Sequence, residues 1–204
     1  MLSTRIDHLV VTAASLELGV EYVHRMLGVT LETGGEHPRM GTHNCLLRLG
    51  DALFLEVIAI NPDAPHPGRS RWFPLDALNP DSQPRLATWV VRTNDIHAAV
   101  AVSPIPLGAI EPMTRGQLNW LITIPEDGGL PMDGVAPVFI EWQAQPHPAA
   151  KLQNLGCSLV RLEARHAEAE KLSGLLHPPY KLVWLPISRL RRVCANSGFR
   201  RAMS

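Results

Sequence analysis

Cysteine is scarce in this chain: Cys45, Cys157 and Cys194 are the only three in 204 residues, odd in number and far apart. No C-x-x-C pair exists, which excludes a zinc knuckle and a thioredoxin-like redox motif. A sparse, odd set suits a reducing compartment, so a cytoplasmic location is expected. An excess of either charge is missing too, since Lys plus Arg and Asp plus Glu each count 19. That balance argues against nucleic acid or an acidic membrane surface as a partner. Arg189, Arg191, Arg192, Arg200 and Arg201 do crowd the last stretch, where a solvated tail explains them at least as well. No apolar run approaches the roughly 18 residues of a membrane-spanning helix. The charged Arg5-Ile6-Asp7-His8 so near the start speaks against a signal peptide. Also lacking are G-x-G-x-x-G, Walker, H-E-x-x-H and G-x-S-x-G motifs, so nucleotide-dependent chemistry and serine hydrolysis find no support.

What the chain does have is the composition of a globular protein, 46% hydrophobic and 19% charged. Residues 5–12 (R-I-D-H-L-V-V-T) read as a strand. Ser15 can cap a helix over 16–27, whose Leu16, Val20, Val23 and Leu27 form one apolar stripe, and Gly28 can end it. Three further strands are expected over 29–33, 42–49 and 52–60, with Gly34-Gly35 and Gly50-Asp51 as turns. A proline-rich stretch over 61–84 follows and reads as a linker or a flap over a site, with Trp72-Phe73 tucked against the fold.

The same order then recurs. Residues 86–93 (L-A-T-W-V-V-R-T) echo the first strand. Asn94 or Asp95 can cap a helix over 96–102, and strands are expected over 110–113, 117–124 and 138–143. Aligning Val10-Val11 with Val90-Val91 sets His8 opposite Thr88. Aligning F-L-E-V-I (54–58) with F-I-E-W (139–142) sets Glu56 opposite Glu141. The expected fold class is therefore α+β: paired βαβββ modules forming curled mixed sheets around a cleft. The modules occupy 1–62 and 84–145, joined by the linker or flap 63–83. Residues 146–204 hold a partial third βα unit and tail, with a strand over 155–163, a helix over 168–176 and a strand over 181–185.

Side chains alternate across a strand, so Leu9 and Val11 suit a helix-covered face and leave Ile6, His8, Val10 and Thr12 on the other. Glu56 shares its face with Phe54 and Ile58, and Glu141 with Phe139 and Gln143. A carboxylate among apolar neighbours in a strand is costly to bury unless paired, protonated or bound to metal. His8, Glu56 and Glu141 together compose a candidate divalent-metal set for Zn, Ni, Mn, Fe or Co. The other reading makes His8 a hydrogen-bonded core histidine and pairs the glutamates with an arginine such as Arg48 or Arg115. His43 either meets a pocket or anchors a turn. Arg115 and Trp120, in R-G-Q-L-N-W, can line a ligand cavity and hold an anionic group, although Trp120 suits the core equally well. His147, His166 and His177 show no mutual ligand spacing and are expected at the surface.

The ordered repeat, with I-D-H-L-V, M-G-T-H-N (40–44), F-L-E-V-I, R-W-F-P-L-D (71–76) and P-V-F-I-E-W (137–142), resembles the glyoxalase-like domain proteins of bacteria, within the vicinal oxygen chelate superfamily. The likeness covers about residues 6–176. It implies metal ligands on the first and fourth strands of each module, which fall here on His8, Glu56 and Glu141. The remaining position falls on Thr88, a poor ligand. It also implies a metal-dependent lyase, isomerase or dioxygenase acting on a small oxygenated molecule, with Glu141 as the catalytic base. The alternative is a metal-free, drug-sequestering type of binding protein, and a third is a structural or regulatory domain. A homodimer is compatible with the expected edge strands.

Overall fold

The computed structural model describes residues 1–164 and 166–172, together with the short antiparallel strands Leu190–Arg191 and Ala202–Met203. The first module runs β1 (Thr4–Thr12), α1 (Leu16–Leu27), β2 (Glu32–His37), β3 (Thr42–Gly50) and β4 (Leu53–Ile60). The second repeats the order with β5 (Arg85–Thr93), α2 (Ile96–Ala101), β6 (Ala109–Arg115), β7 (Leu118–Ile124) and β8 (Val138–Trp142). Local chemistry sets the helix ends. The Ser15 hydroxyl accepts the Leu18 N–H at 3.3 Å, Asp95 accepts the Ala98 N–H at 2.9 Å, and Gly28 closes α1 at φ 67°.

All eight strands form one sheet in the order β2-β3-β4-β1-β5-β8-β7-β6. The first strand of each module lies innermost, parallel to its module's last strand, and β1 and β5 pair antiparallel at the seam. One face packs under the helices, with Leu9, Val11, Val57, Val91 and Phe139 against Val23, Leu27 and Ile96. The opposite, concave face carries Val10, Ile58, Val90, Ile122, Val138 and Ile140. Side chains tie its two edges together. Arg39, just past β2, donates to the Pro112 carbonyl at 2.6 Å and to the Glu111 carboxylate, both on β6. Arg69, in the proline-rich stretch, holds Glu111 through two bonds of 2.6 and 2.7 Å. That stretch crosses the concave side, where Trp72 and Phe73 are buried and stacked with centroids 5.4 Å apart.

The structure departs from the sequence reading at four places. The Gly34-Gly35 pair lies inside β2, where the pairing slips between Thr33–Cys45 and Gly35–Asn44. An added Cβ on Gly34 would fall 2.1 Å from Asn44 Oδ1, so glycine lets the neighbouring side chain through rather than making a turn. On β1, Ile6 pairs Val91 and His8 pairs Val90, leaving Asp7 as the extra residue of a bulge. The bulge breaks the alternation, and Ile6 therefore joins the helix-side core instead of sharing a face with His8. Finally, the strand expected over 155–163 forms only an isolated bridge at Leu159, in a segment whose Leu155, Leu159 and Leu162 lean on the helix-side core. The expected helix over 168–176 is a short 3-10 turn, Ala169–Leu172, within the described residues, and 181–185 lies outside them.

Candidate functional site

Between the concave face and the crossing stretch lies a small, partly open cavity of about 30 Å³. Its polar wall is His8 from β1, His37 from β2, Asn44 from β3, Glu56 from β4 and Arg115 from β6. The rest is apolar, chiefly Phe54, Trp72, Phe73, Trp120 and Trp142. Such a volume admits a water or two, or the reacting end of a small molecule.

The polar wall holds two hydrogen-bonded sets, one around Asp7 and one around Arg115, and within each the donors and acceptors fix one another. Burial raises the Asp7 carboxyl, but bonds from His147 and His8 outweigh it and hold it well below the usual carboxylate range. An ionised Asp7 only accepts, so it takes the His8 Nδ1–H at 2.7 Å and both the Trp142 indole N–H and the His147 Nε2–H at 2.9 Å. His147 Nδ1 accepts the Ala149 N–H at 3.2 Å, which makes its ring the neutral tautomer. Across the cavity, burial and then the neighbouring Arg115 lower His37 to about 3, so this imidazole is neutral as well. Arg115 Nη1 donates to His37 Nε2 at 3.3 Å and to Asn44 Oδ1 at 3.1 Å. Asn44 is thereby oriented with its amide N–H on Glu56 Oε1. Glu56 Oε2 and His8 Nε2 face each other at 3.6 Å, beyond hydrogen-bond reach.

The structure brings together four of the expected residues, His8, Glu56, Arg115 and Trp120, and separates two. Glu141 accepts the Ile96 N–H at 2.8 Å beside the start of α2 and lines a different depression, so it joins neither His8 nor Glu56. The reason is register: Glu56 sits beside Val10 in the β1–β4 pair, and Val138 sits beside Val90 in the equivalent β5–β8 pair. The position matching Glu56 is therefore Val138, three residues before Glu141, and an odd offset changes face. His43 points away from Asn44 and Thr42, toward the α1 side, near Glu17, whose carboxyl is held below its usual range chiefly by a backbone N–H and the Ser15 hydroxyl. His147, expected at the surface, is instead 11% exposed against Asp7. Asp7, His37, Asn44, Trp72, Trp142 and His147 are the site residues that the sequence reading gave no role in a site. The adjacent Asp7-His8 pair was the one local signal, and only the bulge puts both side chains on the same network.

A four-ligand metal centre of the kind the resemblance implies does not fit these residues. His8 and Glu56 converge, and Asp7 stands behind His8 as carboxylates do behind metal-bound imidazoles. The second module, however, places Thr88 and Val138 where further ligands belong, and Thr88 bonds to the Gly134 carbonyl at 3.3 Å. A guanidinium, Arg115, occupies the far side of the cavity. Among the described residues no group of three His, Cys, Asp or Glu side chains can hold a metal ion.

Comparisons with known proteins agree with this architecture. A family model described as a glyoxalase-like domain matches residues 6–179. A solved structure of a hypothetical protein from Staphylococcus aureus is 14% identical and superposes with a TM-score of 0.62, over 98% of this chain and 85% of that one. Methylmalonyl-CoA epimerase from Mycobacterium tuberculosis is 19% identical over 71% of this chain and 91% of that one, with a TM-score of 0.44. No curated protein matches the chain. No helix among the described residues is long and apolar enough to cross a membrane.

Proposed function

This chain belongs to the glyoxalase-like domain family of the vicinal oxygen chelate superfamily, and on that premise we propose that it is an isomerase or lyase that moves a proton on a small oxygenated molecule. The supporting observation is the facing pair Glu56 Oε2 and His8 Nε2, 3.6 Å apart and walled by aromatic rings. A reacting C–H next to a carbonyl, seated between them and Arg115, meets a carboxylate that can take its proton. Water exclusion strengthens every charge in such a chamber. Asn44 aims Glu56 by holding its other oxygen, and Asp7 aims His8 by holding Nδ1. The Arg115 guanidinium is the group placed to stabilise negative charge that gathers on the substrate oxygen.

The test is exchange of the substrate α-proton in D₂O, followed by proton NMR over a panel of small hydroxyaldehydes and 2-oxo acids. The wild-type protein should exchange at least one of them, and Glu56→Gln should slow it by about a hundredfold or more. Saturable binding of these compounds with no exchange would replace the proposal with the ligand-sequestering reading. Elemental analysis of protein purified without chelators or a metal-binding tag gives a second arm. One equivalent of a transition metal, lost in both His8→Ala and Glu56→Ala, would return the site to metal-dependent chemistry.

A further inference from the structure

A second and much larger depression, of about 550 Å³, opens where β1 begins and β5 and β8 end. Its volume lies in the usual range of small-molecule sites, whereas the inner cavity admits only a few atoms. Trp142 lines both, so one indole separates them. Its most unusual feature is the placement of two arginines. Arg5 and Arg92 are direct partners across the antiparallel β1–β5 pair, and both line the groove. Like charges directly opposite one another destabilise a strand pair. Arg92 is partly compensated, donating to the Ala52 carbonyl at 2.5 Å and lying 3.7 Å from Asp7 Oδ2. Arg5 is exposed and has no ion-pair partner among the described residues.

The other groups around the groove do not neutralise this pair. Asp7 is fully buried and its carboxylate is shared among His8, His147 and Trp142. The Glu141 carboxylate is turned to the Ile96 N–H. His147 is neutral in its bonded tautomer, and Ser3, Thr93, Asn94 and Gln145 contribute only neutral polar groups. We propose that this groove is a second binding site, for an organic oxyanion. Its carboxylate or phosphate lies between Arg5 and Arg92, and its apolar body rests on the Trp142 ring. Guanidinium groups bind such oxyanions through charge-assisted, often two-pronged hydrogen bonds, and a ring face of tryptophan suits a flat apolar body.

The site stands independently of proton transfer in the inner cavity, and its test needs no turnover. Inorganic phosphate, phenyl phosphate and benzoate are titrated into ¹⁵N-labelled full-length protein at constant ionic strength, with chloride as the reference anion. Saturable shifts are expected at the Ser3 and Asn94 amides and the Trp142 indole N–H, with the aromatic anions binding more tightly than inorganic phosphate. Phosphate against benzoate tells which oxyanion the site prefers. Arg5→Gln, at an exposed position, should weaken binding about tenfold, and Arg92→Gln should do the same. Shifts no larger than those from chloride, or affinity unchanged in both variants, would overturn the proposal. Loss of α-proton exchange activity in the other assay would leave this result untouched.

Discussion

Asp7 shows how a single carboxylate can organise a site: its two oxygens take N–H groups from His8, His147 and Trp142, and so determine which nitrogen of His8 faces the cavity. His37 shows the opposite strategy, a ring kept uncharged by burial and by the cation beside it. Unfolded, this imidazole takes a proton near its ordinary 6.5; folded, it resists until about 3. Between these values the unfolded chain binds a proton that the folded chain does not. Stability therefore falls as pH drops from 6.5 toward 3, by up to about 1.4 kcal/mol per pH unit from this group. His37→Gln should flatten that slope, whatever its stability at neutral pH. Urea denaturation of both proteins at a series of pH values checks this, and parallel curves would refute it.

At the scale of elements, the packing of α1 on the sheet is closer than its composition suggests. Gly19 faces β4, and an added Cβ would come within 2.4 Å of Val57 Cγ1 and 2.9 Å of the Ala13 Cβ. Glycine inside a helix costs roughly 1 kcal/mol relative to alanine. Overpacking costs about 1–3 kcal/mol, and here the obstructing atoms belong to a stiff, fully buried valine. The steric effect should win. Gly19→Ala is expected to destabilise the protein by about 1–2 kcal/mol, and Val57→Ala should remove most of that penalty in a double-mutant cycle. Thermal or urea unfolding gives the four values, and a more stable Gly19→Ala would show that α1 is free to move outward. The same closeness explains why the predicted stripe was slightly off: Val23 and Leu27 are buried as expected, but Gly19 rather than Val20 meets the sheet.

Across the whole molecule, the two βαβββ runs are not insulated from each other. They share the β1–β5 seam, and the hydrogen bonds of the site cross between them, as in Trp142 to Asp7 and Arg115 to Asn44. Arg39 and Arg69 add ties to Glu111 from the first module and the crossing stretch. Separating the halves would expose the seam and break a buried polar network at once, so the free energy of each half depends on the other. A single unfolding transition is expected. Tryptophan fluorescence, to which Trp72, Trp89, Trp120, Trp142 and Trp184 all contribute, should coincide with far-UV circular dichroism in urea. Two separated midpoints would show that each half is stable alone.

The sequence by itself determined the element order of the two βαβββ runs, most of their strand and helix limits, and four residues of the cavity: His8, Glu56, Arg115 and Trp120. These follow from local patterns, since capping groups, alternation and a repeated order act over a few neighbouring residues. It also carried the family resemblance, because the motifs lie in fixed order along the chain. Only the tertiary structure decided which face each strand turns to the cavity. A one-residue bulge at Asp7 and a three-residue register offset between Glu56 and Glu141 each reverse a face, and neither leaves a mark in composition or spacing. It likewise decided that Gly34-Gly35 makes room for Asn44 instead of a turn, and that His147 reaches back across 140 positions to Asp7. Those outcomes depend on long-range pairing, where the energies that matter belong to contacts between residues far apart in the chain.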